Sequence, residues 1–556
     1  MLKKSYTVLA VNALLLASQA CQTDLEKIVN TNQPSVDVLS SEVAIVQLAK
    51  GGVYQNGFAN LYSSVDDGLG GNFLANGYGM HEAMGDVIYI PWGNFSFKFA
   101  DNPTSITLED GKVVNMPIGT TQPNELRTRN SRGYGASNTM LLEWTYMYFL
   151  NNATNVILDK VSTTTFTGDA DTKRKTLQAW AYWWKGYAYS RIGSLYAAGI
   201  VTDKPNETNS KFLSNVQVVA EGSKNFDKAA DILKNLKVGG AYTDVMTALI
   251  PGFVQNGKGV VPSPEAWIRS INTYKARNIL ANKRVKDMTA ADWQSISDLT
   301  KAGIQSGDPV FLMKTYTDNN KSAIDKDYGW VGAYSATDGG QTFYISERLI
   351  QDFRPGDRRL AQNFDLLESP EVNRRGRGLG FGTRWQLLDG GAGLANVNTF
   401  VHLADYGKDD IYLAGSYEEN QLMQAEALIR GGKVSDGVKL IDAVRTYQGA
   451  GLAPLLSSLT VDKAAEEIRS ERRIALFLRG LAFYDARRLG IIDDVSKGGG
   501  RKNAVVVVPA SFSKSGKVEF QTKTTINYNY LSYFDVPGNE IEFNEPSAGS
   551  APIKLD

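Results

Sequence analysis

The chain has 556 residues, and its 59 lysines and arginines are balanced by 59 aspartates and glutamates. This balance argues against the net electrostatic attraction that nonspecific binding to nucleic acid or to an acidic membrane requires. One cysteine and two histidines leave no material for disulfides or cysteine-based zinc sites, and almost none for histidine metal sites or general bases. We therefore expect a fold that rests on a packed core, with no cofactor, no metal site and no nucleic-acid partner.

The N-terminal stretch has the layout of a secretory signal. A positive pair, Lys3 and Lys4, precedes an apolar region over residues 8–17, and a short run of small or polar residues then leads to Cys21. The apolar region is shorter than the roughly 20 residues of a helix that spans a bilayer. Because the only cysteine follows directly, the stretch resembles a bacterial lipoprotein signal.

That resemblance implies that residues 1–20 are removed as a lipoprotein signal peptide. Cys21 would then carry the lipid that anchors the chain to a membrane without spanning it. Ordinary secretion, with Cys21 inside or beside the cleaved peptide, stays open as the alternative. The polar composition of residues 21–36 predicts a flexible tether, and residues 37–556 are expected to form one α-helical domain.

Three helices are predicted in the first part of the chain, from apolar residues that recur every three or four positions. They cover about 37–54, 138–158 and 176–196. The third is apolar on more than one side, which indicates that neighbouring helices bury it. We therefore expect its tryptophans to lie in the core: Trp180, Trp183 and Trp184.

Six more helices follow. They are predicted at about 223–238, 264–281, 289–305, 416–431, 435–447 and 462–489. Ser263 before Pro264 fits an N-cap followed by proline at the first helical position, and Thr289 with Asp292 resembles a capping box. Strand signals such as residues 505–508 are short, so the sequence indicates a mainly α protein. Paired helices joined by short glycine turns resemble tetratricopeptide units.

Two long stretches, 56–135 and 306–410, interrupt this helical pattern and are rich in glycine and asparagine. Loops of such length inside a compact chain are usually functional, because their backbone must be held at the surface. We therefore predict that these stretches are loop insertions that carry the ligand site.

Three C-terminal motifs resemble the SusD/RagB family. The first, SYEENQLMQAEALIRGG at 416–432, has an Ala-Glu-Ala step before a glycine turn. The second, EIRSERRIALFLRGLAFYDARRLG at 467–490, resembles the arginine-rich helix of that family. The third, FDVPGNEIEFNEP at 534–546, is similar to the closing signature of the family.

This resemblance implies an α-helical fold with four tetratricopeptide-like helix pairs as scaffold and long loops as the ligand site. It also implies an outer-membrane lipoprotein of Bacteroidetes-type bacteria that faces outward and covers a TonB-dependent, SusC-like transporter. Members of the family bind oligosaccharides, less often peptides, and hand them to that channel without catalysis.

Aromatic and polar residues of the two long stretches are the candidates for a sugar site. A flat apolar ring can cover the face of a pyranose, while polar neighbours serve its hydroxyl groups. The resemblance implies a ligand surface that is built from these loop regions. The predicted ligand-binding residues are Asp67, Trp92, Asn94, Trp330 and Tyr334.

A surface glycoside hydrolase is the main alternative, because such enzymes also use aromatic clefts. They need two carboxyl groups about 5 to 9.5 Å apart. On a continuous helix over 462–489, Glu471 and Asp485 share a face but stand roughly 21 Å apart along the axis. We expect both to be buried acids paired with nearby arginines. The chain is therefore predicted not to be an enzyme.

Overall fold

The computed structural model describes residues 40–54, 78–91, 99–314, 334–335, 340–341, 343–372, 381–388, 391–397 and 410–555. Helices dominate this part of the chain. In order they are α1 (Glu42–Tyr54), α2 (Gly79–Met84), α3 (Gln122–Arg129), α4 (Thr139–Lys160), α5 (Ala170–Leu195), α6 (Asn215–Leu233), α7 (Gly240–Leu249), α8 (Pro264–Ala281), α9 (Ala290–Lys301), α10 (Glu347–Ile350), α11 (Arg358–Asn363), α12 (Tyr417–Arg430), α13 (Val434–Tyr447), α14 (Val461–Ala475), α15 (Ala482–Arg488) and α16 (Gly538–Ile541).

The strands of the described residues are short and scattered along the chain. They are β1 (Ile88–Tyr89), β2 (Ser105–Thr107), β3 (Val113–Asn115), β4 (Ala198–Ile200), β5 (Phe212–Ser214), β6 (Leu312–Lys314), β7 (Tyr334–Ser335), β8 (Gly340–Gln341), β9 (Tyr344–Ile345), β10 (Phe364–Glu371), β11 (Thr383–Leu387), β12 (Asp410–Tyr412), β13 (Arg501–Val508) and β14 (Glu519–Asn527).

Successive helices pack on one another and form the scaffold. Helix α4 packs on α5, α5 on α6, and α8 on α9; α9 then contacts α12, which pairs with α13. The predicted fold class, a mainly α protein with tetratricopeptide-like helix pairs, is confirmed. Local capping sets several of the helix starts, as predicted. Ser263 accepts a hydrogen bond from the Ala266 amide at 3.2 Å, and Thr289 with Asp292 forms a capping box.

Helix α5 lies at the centre of the core. Its Trp180, Trp183 and Trp184 are at most 1% exposed, which confirms the predicted core role. Their rings meet those of Trp267 and Phe311 at centroid distances of 5.3 to 6.5 Å within this group, mostly edge to face. Within the described part of the chain, no helix combines the length and the apolar character that a bilayer crossing demands.

Glycines allow α5 and α6 to approach closely. A Cβ atom at Gly222 of α6 would lie 2.9 Å from the carbonyl oxygen of Gly186 and 2.5 Å from the hydroxyl oxygen of Ser190, both on α5. A larger residue at Gly222 would therefore force the helices apart.

Two four-stranded antiparallel sheets flank the helices. One has the order β1-β9-β11-β10 and the other β13-β14-β2-β3. The sequence interpretation understated these strands; four of the eight have only two or three residues, and no alternating pattern can be read at that length. In the same way, the stretches 56–135 and 306–410 are not loops throughout. They contain helices α2, α3, α10 and α11 and all or part of ten strands.

The helix predicted over 462–489 is two helices. Helix α14 ends at Ala475 and α15 begins at Ala482; between them Leu478 and Gly480 have φ angles of 57° and 68°, which a helix does not allow. The buried Glu82 accepts hydrogen bonds from the amides of Leu478 at 3.0 Å and Leu481 at 3.1 Å. These contacts stabilise the turn and come from a distant part of the chain.

Two smaller differences concern the middle of the chain. Helix α6 begins at Asn215, eight positions before the predicted start, because Ser214 and Gln217 form a capping box. Helix α7, over Gly240–Leu249, was not predicted.

Candidate functional site

The predicted site residues fall largely on chain segments outside the described residues. Asp67, Trp92, Asn94 and Trp330 lie there, as does the predicted lipid attachment site, Cys21. The backbone of Tyr334 is described: this residue opens strand β7 and pairs with Gln341 of β8. What the structure adds is where these segments join the scaffold.

Two of the predicted ligand segments join one end of the same sheet. Strands β1 and β9 pair antiparallel, with Ile88 opposite Ile345 and Tyr89 opposite Tyr344. The chain therefore leaves β1 toward residues 92–98 beside the point where it enters β9 from the segment that carries Trp330 and Tyr334. This register brings the attachment points of the two predicted loops together.

A second group of attachment points surrounds the strand pair β6 and β12. Asp410 pairs with Lys314, so the segments 315–333 and 398–409 join the scaffold side by side. The hydroxyl of Tyr78 donates to the carbonyl oxygens of Tyr412 at 3.1 Å and Leu413 at 3.3 Å. The segment 55–77, which carries Asp67, thus ends against β12.

Next to β12 lies a group of side chains that we call the tyrosine cluster: Tyr412, Tyr417, Tyr447, Lys258 and Arg479. The half-buried rings of Tyr417 and Tyr447 meet edge to face with centroids 4.9 Å apart. The Arg479 guanidinium covers the Tyr412 ring at 3.7 Å, and the Lys258 ammonium lies 4.8 Å from the Tyr447 ring centroid. The cluster combines aromatic faces with hydrogen-bond donors.

The helix hairpin α12–α13 creates this cluster. Tyr417 is the first residue of α12 and Tyr447 the last residue of α13, so the antiparallel pairing brings the two ends together. The sequence interpretation missed these tyrosines because it assigned both helices to the scaffold. The signal was nevertheless present, since a tyrosine at each outer end of a helix hairpin must place two rings side by side.

Electrostatics keep the tyrosines of the cluster neutral. Burial raises the pKa of Tyr447 to about 12, the negative charge of Glu418 adds to this rise, and Arg479 opposes it. Burial also raises the pKa of Tyr417, and burial lowers the pKa of Lys258. Lys258 Nζ donates a hydrogen bond to the Tyr447 hydroxyl. Neutral phenols can both donate and accept, which suits the hydroxyl groups of a sugar.

The segment 391–397 also touches the cluster. Asn396, whose φ angle is 60°, donates through its side-chain amide to the carbonyl oxygen of Tyr447 at 3.0 Å. The chain then continues into residues 398–409, which rejoin the structure at Asp410 beside β6. Both ends of the segment 398–409 thus lie at the cluster.

Glu471 and Asp485, the two acids considered as a hydrolase pair, have structural roles. Glu471 accepts hydrogen bonds from Arg359 at 2.5 Å and from Arg445 at 2.8 Å. Asp485 accepts from Arg472 at 2.9 Å and from Arg488 at 2.7 Å. The predicted pairing with arginines is confirmed, although the partners of Glu471 lie on other elements rather than nearby in sequence. The predicted axial separation of these acids assumed one continuous helix, and the break between α14 and α15 removes that basis.

Burial raises the pKa of both acids, but their arginines outweigh this effect and hold each pKa below its usual range. A catalytic acid needs the opposite shift. His81 is buried in α2, with Nε2 3.3 Å from Glu143 and Nδ1 3.3 Å from the Gly480 carbonyl oxygen. Among the described residues, no group of three or more His, Cys, Asp and Glu could hold a metal ion.

The sequence of the C-terminal part matches a known family. Residues 417–547, which include α12 to α16 and the cluster residues Tyr417, Tyr447 and Arg479, match the SusD family. No curated protein matches the chain in sequence.

Solved structures share the fold over nearly the whole chain. A SusD-like carbohydrate-binding protein from Bacteroides fragilis matches with a TM-score of 0.58 and 13% identity, over 91% of this chain and 98% of that one. A SusD-like carbohydrate-binding protein from Bacteroides vulgatus matches with a TM-score of 0.54 and 15% identity, over 93% and 99%. A SusD superfamily protein from Bacteroides thetaiotaomicron matches with a TM-score of 0.53 and 14% identity, over 90% and 98%. The C-terminal part thus matches the SusD family in sequence, and nearly the whole chain shares the fold of solved SusD-like proteins.

Proposed function

We propose that this protein is a lipid-anchored, surface-exposed protein of the outer membrane that captures oligosaccharide and delivers it to a partner TonB-dependent transporter. The proposal rests on the places at which the predicted ligand segments join the scaffold, because these places lie in two groups. The segments that hold the predicted ligand residues join the scaffold at one sheet end and around β6 and β12, and the tyrosine cluster lies beside the latter pair.

The chemistry of the cluster suits a neutral sugar. The half-buried rings of Tyr417 and Tyr447 offer apolar surface, and Lys258 supplies a donor at the same place. Aromatic rings with polar tips bind through a large apolar area and a few directed hydrogen bonds. In this proposal, Trp92 and Trp330 stack on sugar rings, while Asp67, Asn94 and Tyr334 bind the hydroxyl groups.

The location in the proposal rests on the N-terminal sequence and on the family. Residues 1–20 have the layout of a lipoprotein signal, and a lipid on Cys21 would hold the chain at the membrane surface. Delivery to a SusC-like transporter is the corresponding role implied by the family. In this proposal the protein is a binder without catalytic activity of its own.

The test is a panel of oligosaccharides and peptides titrated into the purified protein by calorimetry, with product analysis of each mixture afterwards. We expect saturable binding of at least one oligosaccharide and no release of reducing ends. Release of reducing ends that a substitution of an acidic residue abolishes would establish a hydrolase instead. Binding of peptides alone would indicate a peptide-binding member of the family, and no binding at all would indicate a scaffold.

A further inference from the structure

A cavity of about 390 Å³ lies between α14, α15 and the start of β13, away from the tyrosine cluster. Its lining is strongly cationic. Six cations and three carboxylates line it: Arg469, Arg472, Arg473, Arg488, Arg501, Lys502, Asp352, Glu466 and Asp485. Arg488 is also paired with Glu426 outside the cavity, at 2.7 Å. Arg488 also pairs with Asp485 at 2.7 Å, so six cations share four carboxylates when Glu426 is included.

The three carboxylates of the lining already form ion pairs with arginines. Asp352 binds three guanidinium groups, those of Arg469 at 2.7 Å, Arg473 at 2.7 Å and Arg501 at 2.9 Å. Burial raises the pKa of Asp352, but these three positive charges outweigh it and lower the pKa. Arg469 also pairs with Glu466 at 2.6 Å, so two carboxylates serve these three cations and the excess positive charge remains on the cavity wall.

Arg472 is the side chain that points to a missing partner. It is 4% exposed, and its Nε donates to Asp485 at 2.9 Å. Its Nη1 is buried and has no hydrogen-bond partner among the residues that the structure describes. A buried donor without a partner destabilises the protein, and more so when it is charged. An anion in the cavity would give this donor a partner.

Two further cations complete the lining. Lys502 is exposed at the rim and makes no ion pair with any described side chain. The Nη2 of Arg501 donates to the carbonyl oxygen of Arg348 at 3.0 Å and to Asp352.

Like charges repel one another in the cavity wall. The pKa of Arg473 is lowered, mainly by burial, and the like charges of Arg501 and Arg469 contribute to this. An anion in the cavity would relieve this repulsion.

We propose that this cavity is a binding site for an oxyanion, either a carboxylate or a sulfate group, that contacts Arg472, Arg501 and Lys502. Planar guanidinium groups bind such groups through charge-assisted hydrogen bonds, often two at a time. The cavity volume exceeds that of the anionic group alone and falls within the range of small-molecule sites. A uronic or sulfated saccharide and a free sulfate ion share the chemistry that this site recognises. The proposal does not depend on glycan binding at the tyrosine cluster.

The experiment titrates inorganic sulfate and sodium glucuronate into the protein by calorimetry at low ionic strength, with glucose as the uncharged control. We expect both anions to bind and glucose to give no signal at this site. Lys502→Gln and Arg501→Gln should each weaken binding by roughly fivefold to tenfold, because each removes one charge from the site. Lys463→Gln, which removes an exposed charge of α14 outside the cavity, should leave the affinity unchanged.

Two results would overturn the proposal, and two would support it. Failure of the wild-type protein to bind either anion would overturn the proposal, as would equal affinity in the wild type and in Lys502→Gln and Arg501→Gln. Lys502 is exposed and unpaired among the described residues, so its variant should fold normally, and a melting curve checks this. Binding of sulfate alone would assign the site to the free ion, whereas binding of glucuronate as well would assign it to an acidic saccharide; both results support the site.

Discussion

Buried carboxyl groups in this protein are held in two ways that respond to pH in opposite directions. Asp86 lies beside arginines, and Glu143 lies beside Arg191 and His81; although burial raises the pKa of each acid, these neighbours lower it to about 2. Glu82 lies beside backbone amides of the turn between α14 and α15. Burial raises its pKa to about 7, and the hydrogen bonds from these amides only partly oppose the rise.

Glu82 should make the folded protein less stable as the pH rises. Because its pKa is about 7 in the folded state and 4.5 without burial, folding favours the protonated carboxyl. The loss should begin above pH 4.5 and be complete above pH 7, and it amounts to about 3 kcal/mol at most. Glu82→Gln removes this titration while weakening the contacts to the turn. We expect it to be less stable than the wild type at pH 5, with a smaller difference at pH 8, in denaturant unfolding. A difference that does not change with pH would contradict the assignment.

Trp184 should behave as a core residue. Its side chain is fully buried and its ring contacts Trp180, Tyr187 and Phe311. Trp184→Ala should reduce the free energy of unfolding by about 3–5 kcal/mol, because the truncation leaves a cavity. Tyr134→Ala, at a residue that is 41% exposed, is the control and should change stability little. Equal stability of both variants would show that Trp184 does not support the core.

At the scale of elements, the turn between α14 and α15 brings the backbone close to α2. Gly480 has a φ angle of 68°, and a Cβ atom there would lie 2.8 Å from Cγ of Tyr78. Gly480→Ala should therefore cost about 2–4 kcal/mol of unfolding free energy, from backbone strain and from the clash.

Gly498→Ala is the matched control for this substitution. Gly498 has a φ angle of 86°, but a Cβ atom there would meet nothing within 4 Å, so only the backbone strain applies. We expect a smaller loss, about 1–2 kcal/mol, in the same denaturant experiment. Equal losses in the two variants would show that the approach of the turn to Tyr78 has no energetic role.

Elements with local signals were predicted well, and elements set by distant contacts were not. Helix α8 begins and ends as predicted because Ser263 and Pro264 define its start within the sequence itself. The break between α14 and α15 could not be predicted, since Glu82, which binds the turn, lies almost 400 positions earlier. The predicted ligand residues remain predictions, and the hairpin tyrosines, Tyr417 and Tyr447, became evident only from the pairing of α12 and α13.

At the scale of the whole molecule, the fold separates a helical scaffold from the segments that are expected to bind. The helix array supplies the core around α5, and the sheet end at β1 and β9 together with the pair β6 and β12 receive the ligand segments. The cationic cavity is built from α14, α15 and β13 and is lined by different residues.

Membrane attachment should depend on Cys21. In cells grown with a radiolabelled fatty acid, the wild-type protein should carry the label and sediment with the outer membrane. Cys21→Ala should lose the label, because a lipoprotein lipid is attached through the cysteine thiol. A labelled and membrane-bound Cys21→Ala variant would disprove the anchor. An unlabelled wild-type protein would instead support ordinary secretion.

The most direct test of the central claim is the affinity of loop and cluster variants for the oligosaccharide that the panel identifies. Trp92→Ala, Trp330→Ala and Tyr447→Ala should each lower the binding free energy by roughly 1–3 kcal/mol, as removal of an aromatic anchor does, with melting temperatures close to that of the wild type. Phe543→Ala, at a 73% exposed aromatic residue outside the cluster and outside both long stretches, should bind normally. Wild-type affinity in all three variants would contradict the proposed site, and a variant that unfolds would show that its ring packs within the protein rather than on the ligand.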